Sequence, residues 1–154
     1  MKALVLALAL VSVSACARSR SIKAPVSGAV SRTYSDSAAY VFEVATYAVT
    51  DEGIGIMRTD PERQIVESDW VDVGSLRHVS PAAAEAVVGA DRRVRFRFRA
   101  VPVAGGTQLI GEALIRPIGG GEFADRMVPR NHPAREVLIR MLDNASERLG
   151  KTRR

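Results

Sequence analysis

One segment near the middle of the chain constrains the fold most. From Val94 to Ala100, apolar residues alternate with Arg95, Arg97 and Arg99 without an exception. A period of two is the repeat of a β-strand, whose successive side chains point to opposite faces of a sheet. The pattern therefore predicts a strand with one face on a hydrophobic core and the other face, the arginine row, in water.

Three further strands are predicted around this one. A glycine-containing turn at residues 104–107 leads into a strand from Gln108 to Arg116. Upstream, residues 54–56 and 64–73 have strand character, and the turn residues at 60–63 separate them. The four segments predict two hairpins in one antiparallel sheet.

Two helices flank these strands. Ser35, Asp36 and Ser37 are typical helix N-cap residues, and Gly53 is a typical stop. The apolar positions between them recur at helical spacing and comprise Ala38, Val41, Phe42, Ala45, Ala48 and Val49. A second helix is predicted from Pro133, with Glu136 spaced to pair with Arg140. Its apolar stripe comprises Leu138, Met141, Leu142, Ala145 and Leu149.

The order of these elements predicts the fold class. It is α+β, with a four-stranded antiparallel sheet and the N-terminal and C-terminal helices packed on one face. Residues 80–85 predict one more short helix, which begins at Pro81.

The N-terminal residues resemble a bacterial lipoprotein signal. Lys2 precedes an apolar run that is too short to cross a bilayer as a helix, and the run ends in Val13, Ser14, Ala15 and Cys16. The resemblance implies cleavage after Ala15 and acylation of Cys16. A lone cysteine cannot form an internal disulfide, which favours lipidation over the alternative of an ordinary secretory signal with an accidental thiol. Ala17 in place of aspartate implies transfer to the outer membrane, with the domain facing the periplasm.

The remaining chain has the length of one domain. Residues 1–15 are interpreted as the signal, 16–33 as a flexible tether, 34–150 as a single domain and 151–154 as a basic tail. Without Lys2, 21 basic residues face 17 acidic ones, and the acidic stretch 51–72 balances the basic stretch 91–99. This balance makes nucleic acid a poor candidate partner.

A family resemblance becomes visible across residues 36–149. The Gly53-Ile54-Gly55-Ile56 motif after a helix, then Asp60, Ile65 and Trp70, and later residues 92–98 with a Gly-Gly-Thr hairpin, resemble the small domain of BamC/NlpB-type lipoproteins. Those are accessory lipoproteins of the outer-membrane β-barrel assembly machinery. The resemblance implies a helix-grip-like fold. This chain holds one such domain rather than two, and its tether is shorter, so no binding residue is carried over.

No residue pattern nominates a reaction. His78 and His132 lie in separate loop segments, whereas a metal site needs three or four ligands. No Gly-x-Ser-x-Gly motif positions a nucleophile, and residues 119–121 lack the lysine of a phosphate-binding loop. The sequence therefore predicts neither an enzyme nor a metal site nor a cofactor.

Two features are candidates for contact with a partner. The row of Arg95, Arg97 and Arg99 suits phosphate or carboxylate groups. The aromatic residues are candidates to line a groove where a helix lies across the sheet; they are Trp70, Tyr34, Tyr40 and Tyr47. The simpler interpretation is a solvated row paired with acidic residues of another strand, namely Glu67, Asp69 and Asp72. The simpler interpretation of the aromatic residues is that they pack in the core; this applies to Trp70, Tyr34, Tyr40 and Tyr47.

Two functions remain open from the sequence. The first is a non-enzymatic envelope lipoprotein, anchored through acylated Cys16, that serves as an accessory or scaffold module for an envelope protein partner. The second is a module that holds a lipid or another amphipathic ligand between helix and sheet.

Overall fold

The computed structural model describes residues 25–79, 92–116 and 125–151. Within these ranges the chain forms seven strands and two helices. In chain order they are β1 Val30–Tyr34, α1 Ala38–Asp51, β2 Ile56–Asp60, β3 Ile65–Ser68, β4 Val71–Asp72, β5 Arg93–Val103, β6 Gly106–Ile115, β7 Arg126–Met127 and α2 Pro133–Lys151.

The strands form one antiparallel sheet, which confirms the α+β class. Its order is β1-β6-β5-β3-β2, while β4 also pairs with β5 and β7 also pairs with β6. The expectation of four strands was wrong, because the described part of the sheet has seven. Strands β1 and β7 were not predicted, and the predicted strand at 64–73 is divided into β3 and β4.

Strand β1 lies partly in the segment that the sequence assigns to a tether. Residues 30–33 pair with β6, from Val30 opposite Gly111 to Thr33 opposite Gln108. The strand has an edge position, and its side chains alternate between exposed and half-buried. An edge strand needs little apolar surface. The polar sequence of β1 therefore lacks the apolar alternation from which a strand is predicted. The ordered domain therefore begins before residue 34.

Both predicted hairpins are present. The turn after Asp60 joins β2 to β3, and residues 104–105 join β5 to β6, whose pairing runs from Val94 opposite Ile115 to Val103 opposite Gly106. At Gly106 a Cβ atom would lie 1.9 Å from the carbonyl oxygen of Tyr34. The hairpin thus approaches the end of β1 so closely that it requires glycine at this position.

The helix ends agree with the sequence. The side chain of Ser37 accepts a hydrogen bond from the backbone N–H of Tyr40, and Gly53 follows α1 in the left-handed conformation with φ of 74°. At α2, Nδ1 of His132 accepts from the N–H of Ala134 at 3.2 Å. His132 therefore acts as the N-cap of the helix that begins at Pro133.

The two helices contact each other, and both contact β6, while α1 also contacts β5. The core contains the apolar residues of β5 and the predicted apolar stripe of α2. All five residues of that stripe are at most 2% exposed. No helix among the described residues is long and apolar enough to span a membrane.

Some predictions concern segments outside the described residues. They are the signal with Val13, Ser14, Ala15 and Cys16, the short helix at 80–85, the glycines at 119–121 and residues 152–154.

Candidate functional site

The arginine row of β5 lies on the face of the strand opposite the core residues Phe96 and Phe98. Contrary to expectation, it does not face water. Arg95, Arg97 and Arg99 are only 5, 4 and 7% exposed. We name these residues, with Arg93, Arg116, Glu67, Glu112 and Trp70, the arginine cluster.

Strand register places two carboxylates beside Arg97. Glu67 of β3 and Glu112 of β6 are its direct neighbours on either side. The Nε atom of Arg97 lies 2.5 Å from Oε2 of Glu112, and its Nη1 atom lies 3.5 Å from Oε1 of Glu67. The other oxygen of Glu67 is 3.6 Å from Nη1 of Arg95. The carboxylates thus link the charged residues of three strands.

The pairing with Glu67 was predicted, but two other predicted partners act elsewhere. Asp69 lies 3.5 Å from Nδ1 of the exposed His78. Asp72 accepts hydrogen bonds from the backbone N–H groups of Gly74 and Ser75, and from Arg92. These carboxylates stabilise loops beside the cluster.

A β-bulge places Trp70 in the cluster. Glu67 is opposite Arg97 and Val71 is opposite Val94, so three residues of one strand face two of the other. The hydroxyl of Ser68 accepts from the backbone N–H of Phe96 at this point. Without the extra residue, alternation would turn Trp70 toward the core; with it, the indole reaches the arginine face.

Three guanidinium groups surround the indole of Trp70. Their Cζ atoms lie 4.7, 4.5 and 5.1 Å from the ring centroid for Arg93, Arg95 and Arg116 respectively. These distances are within the range of cation–π attraction. Trp70 is 5% exposed but does not belong to the main core. Its burial agrees with the packing alternative, although its partners are cations.

Burial and charge act in opposite directions on these arginines. Desolvation lowers the pKa of Arg97, but the hydrogen bond and charge of Glu112, with help from Glu67, outweigh it and raise that pKa above its usual value. For Arg99 desolvation prevails over the attraction of Glu112, so its pKa is lowered. Arg97 therefore has the stronger electrostatic support.

The arginine cluster is closely packed and has little contact with solvent. Guanidinium groups this deeply buried are not open to a large partner in this conformation. Among the described residues, Nη2 of Arg97 is buried without a hydrogen-bond partner. The described residues contain no group of three or more potential metal ligands.

Several members of the cluster were not predicted from the sequence. Glu112 lies in a strand of mixed polarity. Its carboxylate accepts a hydrogen bond from the backbone N–H of Val26, in the N-terminal segment. Arg116 donates hydrogen bonds from Nε and Nη2 to the two carboxylate oxygens of Asp125, at 2.6 and 3.1 Å. These pairs depend on strand register and on the β6–β7 pairing, and local periodicity gives no signal for either.

The tyrosines do not line a common groove among the described residues. Tyr34 and Tyr40 pack against the core, and the hydroxyl of Tyr34 lies 2.8 Å from Oγ of Ser146. Desolvation raises the pKa of Tyr34. Tyr47 is 49% exposed, with the guanidinium of Arg148 over its ring at 5.7 Å.

The helix–sheet interface is closely packed at Gly111. A Cβ atom there would lie 2.9 Å from Cδ1 of Leu138 and 3.0 Å from Cε1 of Phe98. An additional carbon at this position would therefore displace the ends of both side chains. A pocket lined by Tyr34, Gly105 and Ser146, among others, lies at the end of β1 and not in this interface.

No protein-family model matches the chain, and no curated protein matches it significantly.

Proposed function

We propose that this protein is a non-enzymatic envelope lipoprotein, anchored to a bacterial outer membrane through acylated Cys16, whose domain serves as an accessory contact module for another envelope protein. In this proposal both helices pack on one face of the sheet in a helix-grip-like arrangement, as in the BamC/NlpB-type lipoproteins that the sequence resembles.

The membrane anchor is supported by the N-terminal sequence. A short apolar run that ends in Val13, Ser14, Ala15 and Cys16 provides both the processing signal and the only thiol of the chain. Val26, ten residues after Cys16, is bonded to buried Glu112. Since an extended chain spans at most about 3.6 Å per residue, this point of the domain lies within about 36 Å of the anchor.

The packing at Gly111 is the observation that favours a contact module over a lipid carrier. A lipid carrier needs space between helix and sheet, and the side chains of Leu138 and Phe98 already fill it there. The buried arginine cluster adds a second rigid layer on the other face of β5. A stiff, filled domain presents surfaces to a partner and does not enclose a ligand.

The anchor is tested by labelling with a fatty-acid analogue in a bacterial host. The wild-type chain should incorporate the label, and Cys16→Ser should abolish incorporation. A matched control combines Cys16→Ser with Ser27→Cys, which moves the thiol to an exposed position away from the signal. This control should stay unlabelled, and labelling of either variant would contradict acylation at Cys16.

The contact module is tested by native mass spectrometry and by crosslinking in intact cells. We expect the purified protein to have the mass of the acylated chain alone, and a defined envelope protein to be crosslinked to it. A stoichiometric apolar ligand beyond the covalent acyl groups would contradict the proposal and favour the lipid-binding alternative.

A further inference from the structure

The exposed arginines of the described residues divide into two groups. Most bind a carboxylate of the domain, as in the pairs of Arg32 with Asp143 and Arg140 with Glu52. Outside the arginine cluster, the described arginines without an ion pair are Arg77, Arg126, Arg130 and Arg135. Three of these four lie within the stretch 126–135, which leads from β7 into α2.

This stretch packs beside the N-terminal segment. The Nη1 atom of Arg135 donates a hydrogen bond to the carbonyl oxygen of Gly28 at 3.3 Å. A Cβ atom on Gly28 would lie 3.5 Å from Cγ of Met127, which neighbours Arg126 in β7. The side chain of Arg135 and the strand β7 therefore lie where the N-terminal segment joins the domain.

Within the described residues 125–136, two acidic residues accompany these three arginines. Asp125, at the start of the stretch, is held by Arg116 and its side chain is 3% exposed. Glu136, in the first turn of α2, is exposed. Arg126 and Arg130 are exposed as well, and the described stretch 125–136 carries a net positive charge.

The length of the N-terminal segment places this surface near the anchor. Gly28 follows Cys16 by twelve residues, a span of at most about 43 Å when fully extended. Arg18, Arg20 and Lys23 lie between the two positions and add positive charge to the same connection. An anchor at Cys16 thus keeps the surface around Gly28 within this span of the bilayer.

We propose that Arg126, Arg130 and Arg135 form a basic surface that binds anionic phospholipid headgroups and orients the domain on the membrane. The proposal rests on the anchor at Cys16 for its geometry. Guanidinium groups form paired hydrogen bonds with phosphate oxygens, and arginines without a carboxylate partner do not have to break an ion pair first. Each basic residue near an anionic bilayer strengthens binding about fivefold.

The test uses the chain without residues 1–15 and with Cys16→Ser, so that no acyl group contributes. All described contacts lie within residues 25–151, so this chain keeps every one of them. Cosedimentation is measured with vesicles of phosphatidylcholine that contain about one-third phosphatidylglycerol, and with vesicles of phosphatidylcholine alone. We expect binding to the anionic vesicles only, and its loss as salt rises.

Two triple variants locate the binding surface. Changing Arg126, Arg130 and Arg135 to glutamine should weaken binding to the anionic vesicles on the order of a hundredfold. The matched control changes Arg58, Arg77 and Arg148 to glutamine, which removes the same charge elsewhere and should leave most of the binding. Circular dichroism verifies that both variants are folded.

Two results would overturn the proposal: equal binding to both kinds of vesicle, or equal losses in the two triple variants. Failure of fatty-acid labelling at Cys16 would instead contradict the anchor, while this vesicle assay would still decide whether the basic surface binds headgroups.

Discussion

Arg97 and Glu112 lie directly opposite each other on β5 and β6, and Nε of the arginine is 2.5 Å from Oε2 of the glutamate. They are 4 and 2% exposed. Their contact is a charge-assisted hydrogen bond in a region with little solvent, where such bonds are strong. The pair joins the two longest strands, and Glu67 extends it to β3.

Removal of one charge from this pair should destabilise the domain. We expect Glu112→Gln to lower the free energy of unfolding by about 3 kcal/mol, because the guanidinium of Arg97 stays buried and keeps only Glu67, at 3.5 Å, as a carboxylate partner. Urea denaturation followed by circular dichroism measures the change. Glu62→Gln, at an exposed turn position, is the control and should change the free energy by less than about 0.5 kcal/mol.

The double variant Arg97→Met with Glu112→Leu separates charge from packing. Replacement of a buried ion pair by apolar residues of similar volume is often neutral or stabilising. We therefore expect it to recover most of the stability lost in Glu112→Gln. A double variant as unstable as the single one would show that the surroundings, and not the unpaired charge, cause the loss.

The packing at Gly111 predicts a second stability effect. Gly111→Ala places a methyl group 2.9 Å from Cδ1 of Leu138, which should cost about 1 to 3 kcal/mol of unfolding free energy. Adding Leu138→Val should relieve part of this overpacking. Gly150→Ala serves as control, because nothing lies within 4 Å of its Cβ position. A stable Gly111→Ala variant would indicate space between helix and sheet and would reopen the ligand-binding alternative.

The sequence predicts the elements with strong local periodicity and misses those that depend on pairing. The alternation around Phe96 and Phe98 identifies β5, and the stripe through Leu138 identifies α2, because burial of one face imposes a repeat. No local sequence pattern indicates the bulge between Glu67 and Val71, because the bulge is defined by the pairing register with β5. Prediction of Trp70 as a residue of the arginine face would have required that register.

The same reasoning explains why the arginine row was assigned to water. Alternation shows that Arg95, Arg97 and Arg99 share a face, but it does not show whether that face is covered. Glu112 comes from a strand whose register was unknown, so its pairing with Arg97 was not available to balance the charge. Both the ion pairs and the burial of the arginines depend on the register of β6 against β5.

Asp72 predicts a pH effect on stability. Desolvation alone would raise its pKa, but hydrogen bonds from Ser75 and the charge of Arg92 outweigh it and lower the pKa of Asp72 below its usual range. The carboxylate therefore stabilises the fold above the pKa of the unfolded chain, and this contribution is lost as pH falls through the lower folded pKa. Asp72→Asn should be less stable than wild type at neutral pH, and the difference should fade in acid.

Thermal unfolding measured at neutral pH and near pH 3 checks this prediction. Ser75→Ala, which keeps the carboxylate but removes its hydroxyl donor, should show a smaller deficit that also fades in acid. A deficit of Asp72→Asn that is independent of pH would assign the role of Asp72 to loop geometry alone.

Trp70 predicts a fluorescence signature. It is the only tryptophan, it is 5% exposed, and the guanidinium of Arg95 lies over its ring. We expect emission at short wavelength and low quenching by neutral acrylamide in the folded protein, with both changing on unfolding. Arg95→Met should alter the folded emission because it removes one of the cations. Arg148→Met, which removes the cation over Tyr47, should not; equal spectra for all three proteins would argue against the cation–π contacts at Trp70.

The ion pair of Arg140 with Glu52 predicts that Arg140 is energetically coupled to Glu52 more strongly than to Glu136. The sequence favours Glu136, one turn earlier, but the guanidinium binds both carboxylate oxygens of Glu52 at 2.8 and 2.7 Å. The hydrogen bonds that Arg140 donates to this carboxylate raise the pKa of the arginine. A double-mutant cycle of Arg140→Gln with Glu52→Gln should therefore give a coupling energy of about 0.5 to 1 kcal/mol, the upper part of the range for exposed pairs. The matched cycle with Glu136→Gln should give about 0.3 kcal/mol or less. Stronger coupling to Glu136 would show that the Glu52 pair does not help to hold α1 against α2, and would leave this role to the apolar contacts and to the pair of Arg148 with Asp51.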